Sequence, residues 1–410
     1  MLLSSLRQAF AALMVAVLVS ACGGAGSSAP PPAGGITVAP GDGSATITWT
    51  MVPGVKYWLF YAPAPSINTN DWTNLPLSRA LMNVTSPYVL TGLTNGFTYS
   101  FTVNGRNGDG PGGAGSPSVS TVPRPAGGTW KAGGSLGSNT IRNLTYGTSS
   151  ADSLGYYFAV GDGGSAYRST DGLTWTGLTA PASTTLNATL YTFNKFIVVG
   201  ANGSATYGTN MATWSVAPTG TTANLNAVAG NGTLAITVGD SGTILSSLDG
   251  ILWTAVASPT TSNLYGVVYS SNGVWTAVGA GGTLLTSTNG TAWTAVASGT
   301  TAQLRAVAVQ QTTSGSAIVA VGNGGAVVRS ADNGVTWAAL SSGVSANLLA
   351  LNATSNQILA VGAGGTVATS PDGITWTTRT SGTTADLYSV LSGFSQYVVV
   401  GQGGTSINSQ

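Results

Sequence analysis

The sequence predicts an all-β protein in which a small β-sandwich precedes a seven-bladed β-propeller. Three observations carry this. A hydrophobic segment ending in Val-Gly recurs at Val160-Gly161, Val199-Gly200, Val238-Gly239, Val278-Gly279, Val321-Gly322, Val361-Gly362 and Val400-Gly401. The glycines are spaced by 39, 39, 40, 43, 40 and 39 residues, and a period near 40 built from short strands signals one propeller blade per repeat. Seven tryptophans keep step: Trp130, Trp175, Trp214, Trp253, Trp293, Trp337 and Trp376. Trp130 nevertheless precedes the first Val-Gly, and no tryptophan follows the last. The offset predicts that a strand around Trp130 becomes the outer strand of the blade holding Leu387 and Val400. Such a seam closes the circle without free sheet edges. The propeller is therefore assigned to residues 128–410, with six or eight blades as the alternative count.

A single repeat, Asn224 to Trp253, reads as four strands. Leu225–Val228 is followed by a Gly-Asn-Gly turn and then by Leu234–Val238. Gly239-Asp-Ser-Gly242 turns the chain into Thr243–Ser246, and Ser247-Leu-Asp-Gly250 turns it into Ile251–Trp253. Ahead of the repeats, residues 35–124 change pattern. Ser44–Thr50 alternates with Ala45, Ile47 and Trp49 on one face, Val55–Tyr61 is a heavier strand, and Phe97–Val103 is a third. Period-two alternation with closely spaced turns predicts a sandwich. Asn107–Gly113 is glycine-rich but lacks the strand–loop–helix context of a phosphate site, so it reads as a turn.

Composition narrows the chemistry. Only 6% of the 410 residues are charged and the net charge is +1, which argues against nucleic acid as a partner. Glu and His are absent, all 11 acidic residues are Asp, and Cys22 is the one cysteine. Zinc and iron sites lack their usual donors, and no metal or cofactor is expected. Residues 1–21 combine Arg7 with an apolar stretch from Ala9 to Val19. The stretch is short for a span and is followed by small residues, as in a signal peptide. Residues 22–34, rich in Gly, Ser and Pro, read as a tether.

Several resemblances sharpen these readings. Val19-Ser-Ala-Cys22 resembles a bacterial lipobox, which implies lipidation of Cys22; Gly23 then favours the outer membrane, with membrane contact through the lipid anchor only. Leu90–Val103 resembles the fibronectin type III family, with Leu93 at a core position, Tyr99 as the tyrosine-corner residue and Trp49 as the buried tryptophan. The corners Ser169–Trp175, Ser247–Trp253, Ser287–Trp293, Ser330–Trp337 and Ser370–Trp376 resemble the Asp-box of sialidase-like repeats, whereas Gly208–Trp214 lacks the Ser and Asp. Asp171, Asp249, Asn289, Asp332 and Asp372 are accordingly read as structural turn residues. The Val-Gly-x-Gly-Gly phrase resembles propellers of the photosystem II assembly and stability factor family, non-enzymatic protein-binding rings.

Function is sought where the repeat varies. In register, the start of the first strand gives Arg142, Asn187, Asn226, Tyr265, Arg305, Leu349 and Tyr388. The residue after each Val-Gly gives Asp162, Ala201, Asp240, Ala280, Asn323, Ala363 and Gln402. Both sets are predicted at one rim of the central channel. Arg142, Asp162, Asp386 and Tyr388 form the densest polar group, at the predicted seam. A sialidase-type mechanism calls for Glu, and a His-dependent nucleophile has no His, so no catalytic residue is assigned. The expected protein is a monomeric envelope lipoprotein acting as a protein-binding scaffold or assembly factor. The alternative is a surface-glycan-binding module using Tyr265 and Tyr388, with a glycosidase behind both.

Overall fold

A computed structural model describes residues 27–41, 43–123, 127–312, 315–393 and 396–409. The expected signal peptide, Cys22 and the start of the expected tether lie outside the described residues. Among the described residues no helix is long and apolar enough to cross a membrane. The chain forms two compact units that divide between residues 125 and 126.

The first unit is a β-sandwich. Thr37–Gly41, Ser44–Thr48 and Tyr88–Thr91 form a three-stranded sheet. It faces a sheet of Arg79–Val84, Val55–Ala62 and Tyr99–Asn107, with Val119–Thr121 pairing along the last of these. Alternation buries Ala45, Ile47 and Trp49 against Tyr57, Leu59 and Phe101, the inward set of both sheets. The Tyr99 hydroxyl accepts a hydrogen bond from the Thr94 N–H at 3.2 Å. The third predicted strand begins at Tyr99 rather than Phe97: Gly96 takes φ +84° and the Phe97 N–H bonds Thr94 O, so the turn runs two residues longer. The tether reading needs a larger correction. Ser28–Ala29 pairs with Arg106 and Gly105, and Ala29 is buried. The long Tyr99–Asn107 strand outreaches Val119–Thr121, and the segment at 28–29 occupies the backbone edge left over.

The second unit is a propeller of seven four-stranded antiparallel sheets. In blade 3 the strands are Leu225–Gly230, Ala235–Gly239, Ile244–Ser247 and Thr254–Ala255, from the channel outwards. The second strand is buried at every position because it lies inside the sheet and between neighbouring blades, which explains its mainly apolar make-up; its one hydroxyl, on Thr237, donates to Ala227 O at 2.9 Å. Blade 7 closes as the tryptophan offset predicts: Leu387–Gly393, Gln396–Gly401 and Ser406–Ser409 are completed by Trp130–Ala132. Register pairs Ser409 with Trp130 and Ile407 with Ala132. The seam therefore cuts the repeat inside its corner, with Ser409 on one side and Gly127-Gly-Thr-Trp130 on the other.

Each corner tryptophan packs between two blades. Trp253 joins Ile197 and Ala188 of blade 2 to Leu225 and Leu245 of blade 3, and Trp130 packs among Leu359, Val361, Leu387 and Ile407 across blades 6 and 7. The corner carboxylates are turn acceptors. Asp249 Oδ1 accepts from the Ile251 and Leu252 N–H groups at 2.8 and 3.0 Å. Asp171, Asn289, Asp332 and Asp372 accept in the same way from the two residues leading to their tryptophans or, in the longer corner, from Thr336. Gly250 combines φ +74° with a Cβ direction that points 2.3 Å from Ile197 Cδ1 of the preceding blade.

The corner of blade 2, which lacks the Ser and Asp, keeps the turn by other residues. Asn210 takes the place of the Asp, accepting from Ala212 and Thr213 N–H at 3.0 Å. Met211 occupies the glycine position at φ +58° and is fully buried among Phe158, Phe196 and Tyr156. Phe158 stacks on Trp214 at 5.3 Å, so aromatic packing between blades 1 and 2 replaces the glycine contact used elsewhere.

Candidate functional site

The site starts from a backbone irregularity that the repeat imposes. In blade 3, Leu225 pairs with Gly239 and Ala227 with Val238, so Asn226 is skipped as a bulge. The same skip falls on Arg142, Asn187, Tyr265, Arg305, Leu349 and Tyr388. A bulge re-aims its side chain relative to the sheet. The Val-Gly glycine accommodates the close approach: a Cβ at Gly239 would stand 2.0 Å from Asn224 O, while the next N–H, of Asp240, donates to that oxygen at 2.9 Å. All seven bulge residues line one central cavity of about 240 Å³.

The second set sits in the short turns that follow. The turn residues alternate between polar in odd blades (Asp162, Asp240, Asn323, Gln402) and alanine in even blades (Ala201, Ala280, Ala363). Seven is odd, so two polar blades meet at the seam. In blades 1, 3 and 5 the sets bond each other. Arg142 donates from Nε and Nη2 to Asp162 at 2.5 and 3.3 Å. Asn226 donates to Asp240 Oδ1 at 2.9 Å, and Asn224 to Oδ2 at 2.8 Å. Arg305 Nε donates to Asn323 at 3.2 Å, and the Gln303 amide, turned with its oxygen inward, accepts from the same nitrogen at 2.9 Å. In blade 2, Asn187 faces an alanine turn and reaches sideways, donating to Leu225 O of blade 3 at 3.0 Å. Asn226 does likewise to Leu264 O of blade 4 at 3.0 Å.

Two arginines cap tyrosines of the preceding blade. Arg305 lies 5.1 Å over the Tyr265 ring and Arg142 5.8 Å over that of Tyr388, within cation–π range. Burial, then the neighbouring Asp386, pushes the Tyr388 hydroxyl above its ordinary range.

The structure brings Arg142, Asp162, Asp386 and Tyr388 together at the seam, where the Tyr388 hydroxyl donates to Asp386 Oδ2 at 3.5 Å, and it gives Asp386 a second partner. Asp386 Oδ1 accepts from the Gly364 N–H of blade 6 at 2.8 Å. Asn224, Asn263 and Asn347 occupy the same register position and accept from Asn202, Ser241 and Gly324 N–H at 3.0, 2.8 and 2.9 Å. This inter-blade clamp was missed in the sequence, although its signal is there: one polar residue directly before the aliphatic that opens the first strand. Asn143 was missed too. It follows a bulge residue and accepts from Thr189 N–H at 3.1 Å, stitching blades 1 and 2.

The corners and the channel mouth lie at opposite ends of the strands, since the third strand runs away from the turn beside the bulge. No group of His, Cys or Asp side chains able to hold a metal occurs among the described residues.

No protein-family model matches the chain, and no curated protein matches it. Solved structures do. The chain is similar to a structure described as YCF48 bound to D1 peptide (TM-score 0.55, 22% identity, 68% of this chain and 94% of that one). It is also similar to YCF48 from Cyanidioschyzon merolae (0.54, 20%, 68% and 98%). The WD40 β-propeller domain of Doa1 is a third match (0.55, 14%, 69% and 97%). At these identities the likeness establishes the propeller fold.

Proposed function

We propose that this chain is a non-enzymatic protein-binding scaffold or assembly factor of the bacterial cell envelope, held at the outer membrane by acyl chains on Cys22. The observation that carries the reading is the bulge circle. One side chain per blade is delivered into a common cavity, and these side chains differ (Arg, Asn, Asn, Tyr, Arg, Leu, Tyr) while the frame around them repeats. Variation at the places the fold exposes, and uniformity where it packs, is what recognition requires of a repeat protein. The similar structure of YCF48 with a D1 peptide supports a peptide as the kind of ligand.

Catalysis finds little support at the mouth. Asp162 is paired with Arg142, Asp240 is held by two asparagines and Asp386 by a backbone N–H. The glycan reading needs open aromatic faces, yet Tyr265 and Tyr388 each carry an arginine on one face. Chemical crosslinking in intact envelopes, followed by purification of the full chain, tests the proposal. A stoichiometric protein partner that disappears with Tyr265→Ala and Arg142→Gln supports it. Capture unaffected by both variants, or binding to a glycan array lost with Tyr265→Ala and Tyr388→Ala, refutes it.

A further inference from the structure

The charges at the channel mouth are not evenly matched. Two ion pairs occur among the described residues, Lys56–Asp109 in the sandwich and Arg142–Asp162 at the mouth. The second neutralises blade 1. Asp240 of blade 3 has only the neutral amides of Asn224 and Asn226. Arg305 of blade 5 has only Asn323, Gln303 and the ring of Tyr265. Both charged groups are thus fixed in place by hydrogen bonds that leave their charge uncancelled. Between them stands blade 4, whose turn residue is Ala280 and whose bulge residue is Tyr265. The remaining even blades contribute Asn187 and Leu349, which carry no charge.

From this arrangement we infer that the arc of blades 3 to 5 reads a pair of opposite charges on one peptide segment, a basic side chain at Asp240 and an acidic one at Arg305, with Tyr265 beneath the residues between. This rests on the protein-binding reading and gives it a chemistry. Immobilised charges aimed at a binding surface select partners by complementarity, because a like charge placed there is repelled. A cavity of about 240 Å³ holds a side chain or two rather than a folded element, so the segment crosses the mouth and only its side chains enter. Blade 1 closes on itself through Arg142–Asp162, and Asp386 of blade 7, held by the Gly364 N–H and the Tyr388 hydroxyl, has beside it only this already neutralised arginine, so the seam offers no second charge pair of this kind.

Panning a random dodecapeptide display library against the full chain tests the inference. Enriched peptides are expected to carry one basic and one acidic residue in a fixed order. Synthetic versions with either charge made neutral are expected to bind about five-fold more weakly, the scale of a partly exposed charge contact. Asp240→Asn is expected to erase the preference for the basic residue alone, and Arg305→Gln that for the acidic residue alone. The double exchange Asp240→Lys with Arg305→Glu is expected to invert the selected order, which a merely misfolded mouth cannot do. Enrichment of peptides without the charge pair, or with preferences untouched by these variants, overturns the inference and leaves the protein-binding reading standing. No enrichment at all removes both.

Discussion

Replacing Gly250 by Ala tests the physical reason for the corner that repeats around the propeller. Gly250 has φ +74°, and its missing Cβ would lie 2.3 Å from Ile197 Cδ1 and 3.1 Å from Cγ1 of the neighbouring blade. The left-handed backbone costs an alanine about 1–2 kcal/mol. Ile197 is fully buried, so its displacement adds overpacking of about 1–3 kcal/mol. A loss of about 2–5 kcal/mol corresponds, at about 2–4 °C per kcal/mol, to a Tm roughly 4–20 °C lower. Ile197→Val removes the clashing Cδ1 and alone costs about 0.5–1.5 kcal/mol. Gly250→Ala with Ile197→Val is therefore expected to be less destabilised than the sum of the singles by about 1 kcal/mol or more. Thermal unfolding of the four proteins reads the cycle. Additive losses, or an unaffected Gly250→Ala protein, would refute the claim that the glycine is there to let the preceding blade approach.

Further predictions concern the seam, the clamp, the odd corner and acid. Trp130→Ala should lower stability by about 3 kcal/mol, the low end for a tryptophan because Trp130 is half-buried in the core shared by blades 6 and 7, whereas exposed Lys131→Ala should be silent in the same thermal scan. Asp386→Asn should leave Tm unchanged because three blades already use Asn there, while Asp386→Ala should cost about 0.5–1.5 kcal/mol; a large loss with Asn would restore an ionic role. Met211→Gly should destabilise by about 1–4 kcal/mol, because the buried side chain outweighs the relief of its positive φ. The Asp332 carboxyl is held down to about 2, chiefly by the Thr336 hydroxyl and N–H and then by Ser330. A carboxyl lowered on folding stabilises the fold above its unfolded value and loses that contribution as pH falls through the folded value. Unfolding followed by fluorescence should therefore show stability declining from about pH 4 to pH 2, and less steeply in Asp332→Asn.

The propeller was legible because its determinants are periodic. Val-Gly marks where backbone meets backbone, the corner Asp or Asn marks a turn, and the tryptophan offset marks the closure. The bulge positions were legible for the same reason, as the start of each first strand in register. What the sequence did not disclose were contacts between repeats. Asp386 reads only as part of the seam cluster, and its second bond, to Gly364 of the preceding blade, is not visible in the sequence; Asn224 reads as a strand flank until its partner in the preceding blade is known. Asn210 and Met211 were hidden by substitution: one keeps the turn chemistry under another residue type, and the other exchanges glycine for aromatic packing. Ser28–Ala29 has no pattern of its own, since only the free edge of Tyr99–Asn107 gives it a place.

The central claim is that recognition happens at the bulge circle and not at the corners. A photo-crosslinking amino acid placed at Leu349, on the mouth, and separately at Val335, 72% exposed on a corner at the other end of the strands, measures this directly in intact envelopes. The account predicts a discrete crosslinked partner from position 349 and none from position 335. The same partner captured from position 335 alone would contradict it.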